Sequence, residues 1–142
     1  MSPKHSAQRV HQYPAVGQYM SASPRTISPG SSLAQAHQLM RAAGIRHLPV
    51  VEKGVVVGVL SARDILLLES LPKVDANEAR VYEAMIRDVY AVAPDAPLGE
   101  VVETMIERKI GSAIVVDGPN VVGVVTTIDA LQALHDLLER SE

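Results

Sequence analysis

Residues 58–64 read GVLSARD and residues 123–129 read GVVTTID. Each phrase is a glycine, two apolar residues, a hydroxyl residue, two variable positions and an aspartate, and Asp129 follows Asp64 by 65 positions. Applied without a gap, that offset carries Met20 onto Met85, Pro29 onto Pro94, Leu33 onto Leu98, Met40 onto Met105, Ile45 onto Ile110, Val50 and Val51 onto Val115 and Val116, and Gly58 onto Gly123. Register held over such a span identifies a tandem duplication, and whatever one copy builds the other must be able to build again.

The two copies share one grammar. A short apolar turn, Val16 to Met20 or Val81 to Met85, leads to a small extended piece around Ile27 or Val92 that ends at Pro29 or Pro94. Leu33, Ala36, Met40 and Ala43 then recur at helical spacing, as do Leu98, Val101, Met105 and Ile106. Ser32 is the expected N-cap and Gly44 the expected stop. The runs LPVVEKGVVVGVLS and AIVVDGPNVVGVVT each read as a hairpin, with Lys53-Gly54 and Gly118-Pro119-Asn120 as the turns. A last helix is expected from Arg63 to about Leu71, and from Ile128 to about Arg140. The unit is β-α-β-β-α, so the fold class is α+β, with α/β-type repeats.

One unit could not stand alone. Val50, Val51, Val56, Val57 and Val59 place apolar side chains on both faces of the first hairpin, and packing the two copies sheet against sheet, with pseudo-twofold symmetry, would cover them. The leftover apolar helix faces predict a symmetric homodimer. The expected organisation is a flexible N-terminal arm over residues 1–15, repeat 1 over 16–71, a linker over 72–80 and repeat 2 over 81–140.

Composition narrows the chemistry. With no Phe, Trp or Cys in 142 residues, the core must be aliphatic, and disulfides, thiolate metal sites and cysteine nucleophiles are excluded. This suits a cytoplasmic protein. A formal net charge of -3 argues against general nucleic-acid binding, which needs clustered Lys and Arg. The opening MSPKHSAQRVHQYP has no apolar run of signal-peptide length, and the apolar stretches elsewhere are too short to cross a membrane. His5, His11, His37, His47 and His135 form no ligand-spaced pair, and no glycine-rich phosphate loop or nucleophile elbow is present. The expectation is no metal, no catalytic residue and no enzyme.

The ordered set Met, Pro, Leu-x-x-Ala-x-x-x-Met, Gly-Ile-x-x-Leu-Pro-Val-Val, a turn and Val-x-Gly-Val-x-Ser-x-x-Asp, repeated in tandem over about residues 16 to 138, resembles the CBS domain pair, or Bateman module. The resemblance implies a non-catalytic regulatory module. Its clefts between the paired repeats bind an adenosyl ligand (AMP, ADP, ATP or S-adenosylmethionine), no cofactor is required, and the signal passes through the dimer to a regulated protein that the sequence does not identify.

By motif match, the resemblance puts ribose and phosphate at Ser61 and Asp64 and at Thr126 and Asp129. It places residues that reach the phosphate of the nucleotide bound by the partner repeat before the Leu-Pro-Val-Val strand: Arg46 and His47 in copy one, but Gly111 and Ser112 in copy two, so the expected phosphate-preferring cleft is the one whose ribose Asp129 holds. Arg63 likewise faces Ile128 under the offset. Adenine is implied at Thr26, Ile27 and Ile45, and at Val92 and Ile110. The physics agrees, because a carboxylate accepts bonds from a ribose diol and a helix N-terminus favours phosphate.

A simpler reading of the same residues stands beside it. Ser-x-x-Asp and Thr-x-x-Asp at a helix start are also capping boxes. Arg46 and His47 would be a solvated strand entrance, and the Val and Ile residues ordinary core. With both sites degenerate, the chain would be a structural dimerisation or protein-interaction module.

Overall fold

The helical stripes read from the sequence become buried faces in the computed structural model, which describes residues 14–140. Helix α1 (Leu33–Ala43) buries Leu33, Ala36 and Met40. Ser32 Oγ accepts the Gln35 N–H at 3.1 Å and Gln35 Oε1 accepts the Ser32 N–H at 2.9 Å, a capping box of about 1 kcal/mol. Gly44 ends the helix at φ 66°, a left-handed conformation in which a Cβ would be costly. Helix α4 (Leu98–Arg108) buries Leu98, Val101 and Met105 in the same way. Two expected stripe members fall outside it: Ala43 is exposed, and so is Ile106, at 70%.

Strand β2 (His47–Glu52) pairs antiparallel with β3 (Val55–Ser61). Lys53 at φ 53° and Gly54 at φ 79° both take the positive φ that a type I′ turn demands. Going from that turn, Glu52 faces Val55 and Val51 faces Val56, but Val50 faces Gly58. Val57 is thus the extra residue of a bulge, which shifts the register by one and sets His47 opposite Ser61. In copy two, β5 (Ser112–Asp117) and β6 (Asn120–Thr126) are joined by Gly118, at φ 61°, and Pro119. Asn120, expected in the turn, is the first residue of β6.

The last helices are α2 (Ala62–Glu69) and α5 (Thr127–Arg140). The first was expected to run to Leu71. It stops at Glu69 because the Ser70 hydroxyl donates to the Leu67 carbonyl at 2.7 Å, competing for a last-turn acceptor. The connector then docks on α1, with the Leu33 and Ala34 N–H groups donating to the carbonyls of Ala79 and Ala76.

The opening segments are exchanged between the copies. Val16, in a 3-10 turn over Val16–Gln18, donates its N–H to Ala96, and Gly17 donates to Pro94, each at 2.8 Å. Under the offset these become Val81 to Ser31, at 2.8 Å, and Tyr82 to Pro29, at 3.0 Å, and both bonds are present. Val81 opens the short helix α3 (Val81–Ala84). The chain accordingly forms two compact units out of phase with the repeats. One, the copy-one unit, is Ser23–Val89 with Gly118–Val121; the other, the copy-two unit, takes the described residues 14–22, 90–117 and 122–140. Residues 1–13 of the expected arm lie outside the described residues, whereas Pro14 accepts the Leu98 N–H at 3.0 Å.

Each unit repeats one strand order. In the copy-two unit it is β1 (Ser21–Ala22), β6, β5 and β4 (Ala91–Val92), with β4 parallel to β5. In the copy-one unit, Ile86 bridges Val59 of β3 and Ile27 bridges Val50 of β2 in parallel, which are the same contacts moved by the offset. The exchanged segment also explains the glycine of the repeated phrase. A Cβ on Gly58 would lie 2.7 Å from Met85 Sδ, and one on Gly123 would collide with the Met20 side chain.

Val16 is fully buried with Leu98, Val101 and Val115, and Val81 is fully buried with Leu33, Ala36 and Leu48. Val16→Ala is therefore expected to cost about 2 kcal/mol and to lower amide-exchange protection in α4 and β5. Val81→Ala should lower it in α1 and β2. Loss of protection within the mutated residue's own repeat would contradict the exchange.

Candidate functional site

In each copy a strand runs directly into a helix at the hydroxyl residue of the repeated phrase. Ser61 Oγ accepts the Asp64 N–H at 3.0 Å, while Asp64 Oδ2 accepts from the Ser61 N–H at 3.2 Å and from its hydroxyl at 2.8 Å. Thr126 donates its N–H and its hydroxyl to Asp129 Oδ2 at 2.8 and 3.2 Å. The next N–H is also satisfied: Ala62 donates to the Arg46 carbonyl at 2.8 Å and Thr127 to the Gly111 carbonyl at 3.2 Å. The capping box is complete in copy one, and in copy two its carboxylate half is present. It commits only Oδ2, and among the described residues Oδ1 of each aspartate has no protein hydrogen-bond partner. Both aspartates are partly exposed.

Arg46, His47, Ser61 and Asp64 come together at one end of the β2–β3 hairpin, with Arg63 exposed on the first turn of α2. Burial holds His47 below its ordinary pKa, against the upward pull of Asp64, and Arg46 pushes it down further. In the copy-two unit Gly111, Ser112, Thr126 and Asp129 occupy the same frame, with Ser112 buried and Ile128 71% exposed in place of Arg63. The residues expected at adenine lie elsewhere on the frame. Ile27 lies on the open edge of β2, its N–H bonded to Pro49 and its carbonyl to Val51, and Thr26 beside it is exposed. Val92 pairs with Val115 in the same manner. Ile45 and Ile110 donate to the carbonyls of Met40 and Met105, closing their helices.

The sequence reading missed the carbonyls of Arg46 and Gly111 as acceptors at the helix start, for which side-chain identity carries no signal. It also missed a hydrogen bond between Tyr19 and Asp136, which the offset does not repeat because Ala84 and Leu71 stand at the equivalent positions. Among the described residues no group of three His, Cys, Asp or Glu could hold a metal ion, and no helix is long and apolar enough to cross a membrane.

Fold and caps together define a tandem module of two β-α-β-β-α repeats. The CBS domain profile matches residues 16–70 and 81–136, and the chain belongs to the CBS domain family as a tandem pair. The CBS domain-containing protein YhcV of Bacillus subtilis is 31% identical over 110 residues, 78% of this chain and 78% of YhcV. The inosine-5'-monophosphate dehydrogenase of Methanocaldococcus jannaschii is 28% identical over 130 residues, 88% of this chain but 25% of that enzyme. Apart from YhcV, the chain spans less than half the length of the curated relatives compared. Among solved structures, the CBS domain pair of protein MJ0100, in complex with 5'-methylthioadenosine and S-adenosyl-L-methionine, superposes with a TM-score of 0.80 at 28% identity, covering 87% of this chain and 98% of that one.

His47 makes a prediction about stability. Its folded pKa lies below the unfolded value, so the unfolded chain takes up the proton first. The fold should lose stability as the pH drops below about 6.5, and the loss should level off once folded His47 is protonated. Denaturation midpoints measured from pH 7.5 to 5 should fall less steeply for His47→Gln than for the parent.

Proposed function

We propose that the chain is a non-catalytic regulatory module that binds an adenosyl ligand, AMP, ADP, ATP or S-adenosylmethionine, and passes its state through a homodimer to a partner protein in the cytoplasm. The observation that carries this reading is the pair of caps in which Asp64 and Asp129 keep one oxygen uncommitted beside a helix N-terminus. Ribose hydroxyls donate to that oxygen. Arg46, His47 and Arg63 supply charge-assisted donors to phosphate, and Thr26, Ile27, Ile45, Val92 and Ile110 supply apolar contacts to the purine. The adenosyl ligands of the MJ0100 pair support the ligand class. Exposed apolar residues on α2 (Leu66, Leu67) and α5 (Ile128, Leu131, Leu134, Leu138) support the dimer.

The test is a thermal shift with AMP, ATP and S-adenosylmethionine, paired with sedimentation of the same samples. A ligand at a hundred times its Kd adds about 2.7 kcal/mol, which is a rise of about 5–10 °C for a chain of this size. No shift with any of the three would leave the second reading, a structural dimerisation or protein-interaction module with degenerate nucleotide sites. The internally satisfied caps and the uncharged Gly111, Ser112 and Ile128 of copy two favour that reading.

The carboxylates separate the two readings residue by residue. Asp64→Ala and Asp129→Ala should each weaken adenosyl binding by about 1.5–3 kcal/mol in calorimetry, beyond a loss of about 1 kcal/mol of stability from the broken cap. Variants that lose stability but bind like the parent would reduce both aspartates to caps.

A further inference from the structure

Helix α5 carries Thr126 and Asp129 at its start, yet not one of its residues is fully buried. The shorter α2 is better anchored, since its Ile65 is 1% exposed. Within the copy-two unit, Ala133 packs against the core, and one turn further on α5 makes a polar tie to the opening segment. Tyr19, which follows the exchanged 3-10 turn, donates its hydroxyl to Asp136 Oδ2 at 2.5 Å, and Gln132 holds the other carboxylate oxygen at 2.9 Å. Copy one has no such bond to make, with Ala84 and Leu71 at the equivalent positions.

We propose that Tyr19 is a positioning residue for the copy-two ligand site: its bond to Asp136 fixes α5 against the opening segment and thereby holds Asp129 in its binding position. This rests on the adenosyl reading above. A helix pinned at its cap and again two turns later is held in direction as well as in place. Cutting the second pin leaves the cap intact but lets the helix swing about it, so the ligand must pay to order Asp129 on binding. The surroundings suit a bond that persists at neutral pH. The bond itself is the largest reason that Tyr19 lies above its ordinary pKa and Asp136 below the usual carboxylate range; Arg140 acts on Tyr19 in the opposite direction, while Gln132 and His135 reinforce the shift of Asp136. His135 also faces Glu139 at 3.5 Å.

The experiment compares the full chain with Tyr19→Phe, Asp136→Leu and Asp136→Asn, using amide hydrogen exchange without ligand, the ultraviolet titration of tyrosine, and calorimetry with AMP and with S-adenosylmethionine. Tyr19→Phe and Asp136→Leu should speed exchange along α5 but not α2, and weaken binding at one site by about fivefold or more. Asp136→Asn keeps an acceptor, so it should restore most of the affinity while moving the Tyr19 titration back toward its ordinary value. Unchanged exchange in α5 for Tyr19→Phe overturns the proposal whatever the ligand does, and so does Asp136→Asn binding as weakly as Asp136→Leu. If the parent chain binds neither ligand, the adenosyl reading fails and the positioning role fails with it; faster α5 exchange in the same samples would still show the bond to be structural.

Discussion

Val16 and Val81 are each buried in a core that the other repeat supplies, and the architecture depends on that exchange. A single repeat of roughly sixty residues lies near the lower limit at which a hydrophobic core sustains a domain. Here it is also incomplete. Removing the exchanged segment takes away a fully buried valine, the backbone N–H groups that satisfy Pro94 and Ala96 or Pro29 and Ser31, and the methionine that covers Gly123 or Gly58. The duplicated chain is therefore one folding entity in which each compact unit contains residues from both repeats.

The same economy governs the caps. A helix start that can receive a ligand must also survive without one, because four N–H groups left bare there would destabilise the empty protein. In both copies one carboxylate oxygen and the carbonyl of the residue just before β2 or β5 accept N–H groups at the helix start, and in copy one the Ser61 hydroxyl accepts another. Capping occupies only Oδ2 of each aspartate.

Much of this was legible in the sequence because local rules wrote it. The α1 stripe, the Ser32 cap, the Gly44 stop and the Lys53-Gly54 turn each depend on residues within a few positions of one another. The exchange was not legible, and the reason is the repeat itself. A contact between the opening segment and the loop before a helix gives the same periodic sequence whether it forms within a copy or between copies. The bulge at Val57 was equally silent, since an unbroken ladder from the same turn would have set His47 opposite Leu60 rather than Ser61. Helix α2 fell short of Leu71 through one serine hydroxyl. Tyr19 and Asp136 left no trace because they occur once, and a reading organised around repetition passes over what is not repeated.

What varies between the copies follows from what holds them up. Apart from the two aspartate caps, the bonds common to both units are made by backbone groups: the carbonyls of Arg46 and Gly111 accept the equivalent N–H although one residue is charged and the other has no side chain. A position held by its carbonyl places no demand on its side chain. Arg46 and Gly111, His47 and Ser112, and Arg63 and Ile128 could therefore diverge at equivalent places without disturbing the frame. Within the frame, the difference is electrostatic. One aspartate stands among two arginines and a half-buried histidine that gives up its proton readily, while the other stands among neutral neighbours. Charge is then the property on which the two caps differ most, because a carboxylate, a hydroxyl residue and a helix N-terminus stand at both.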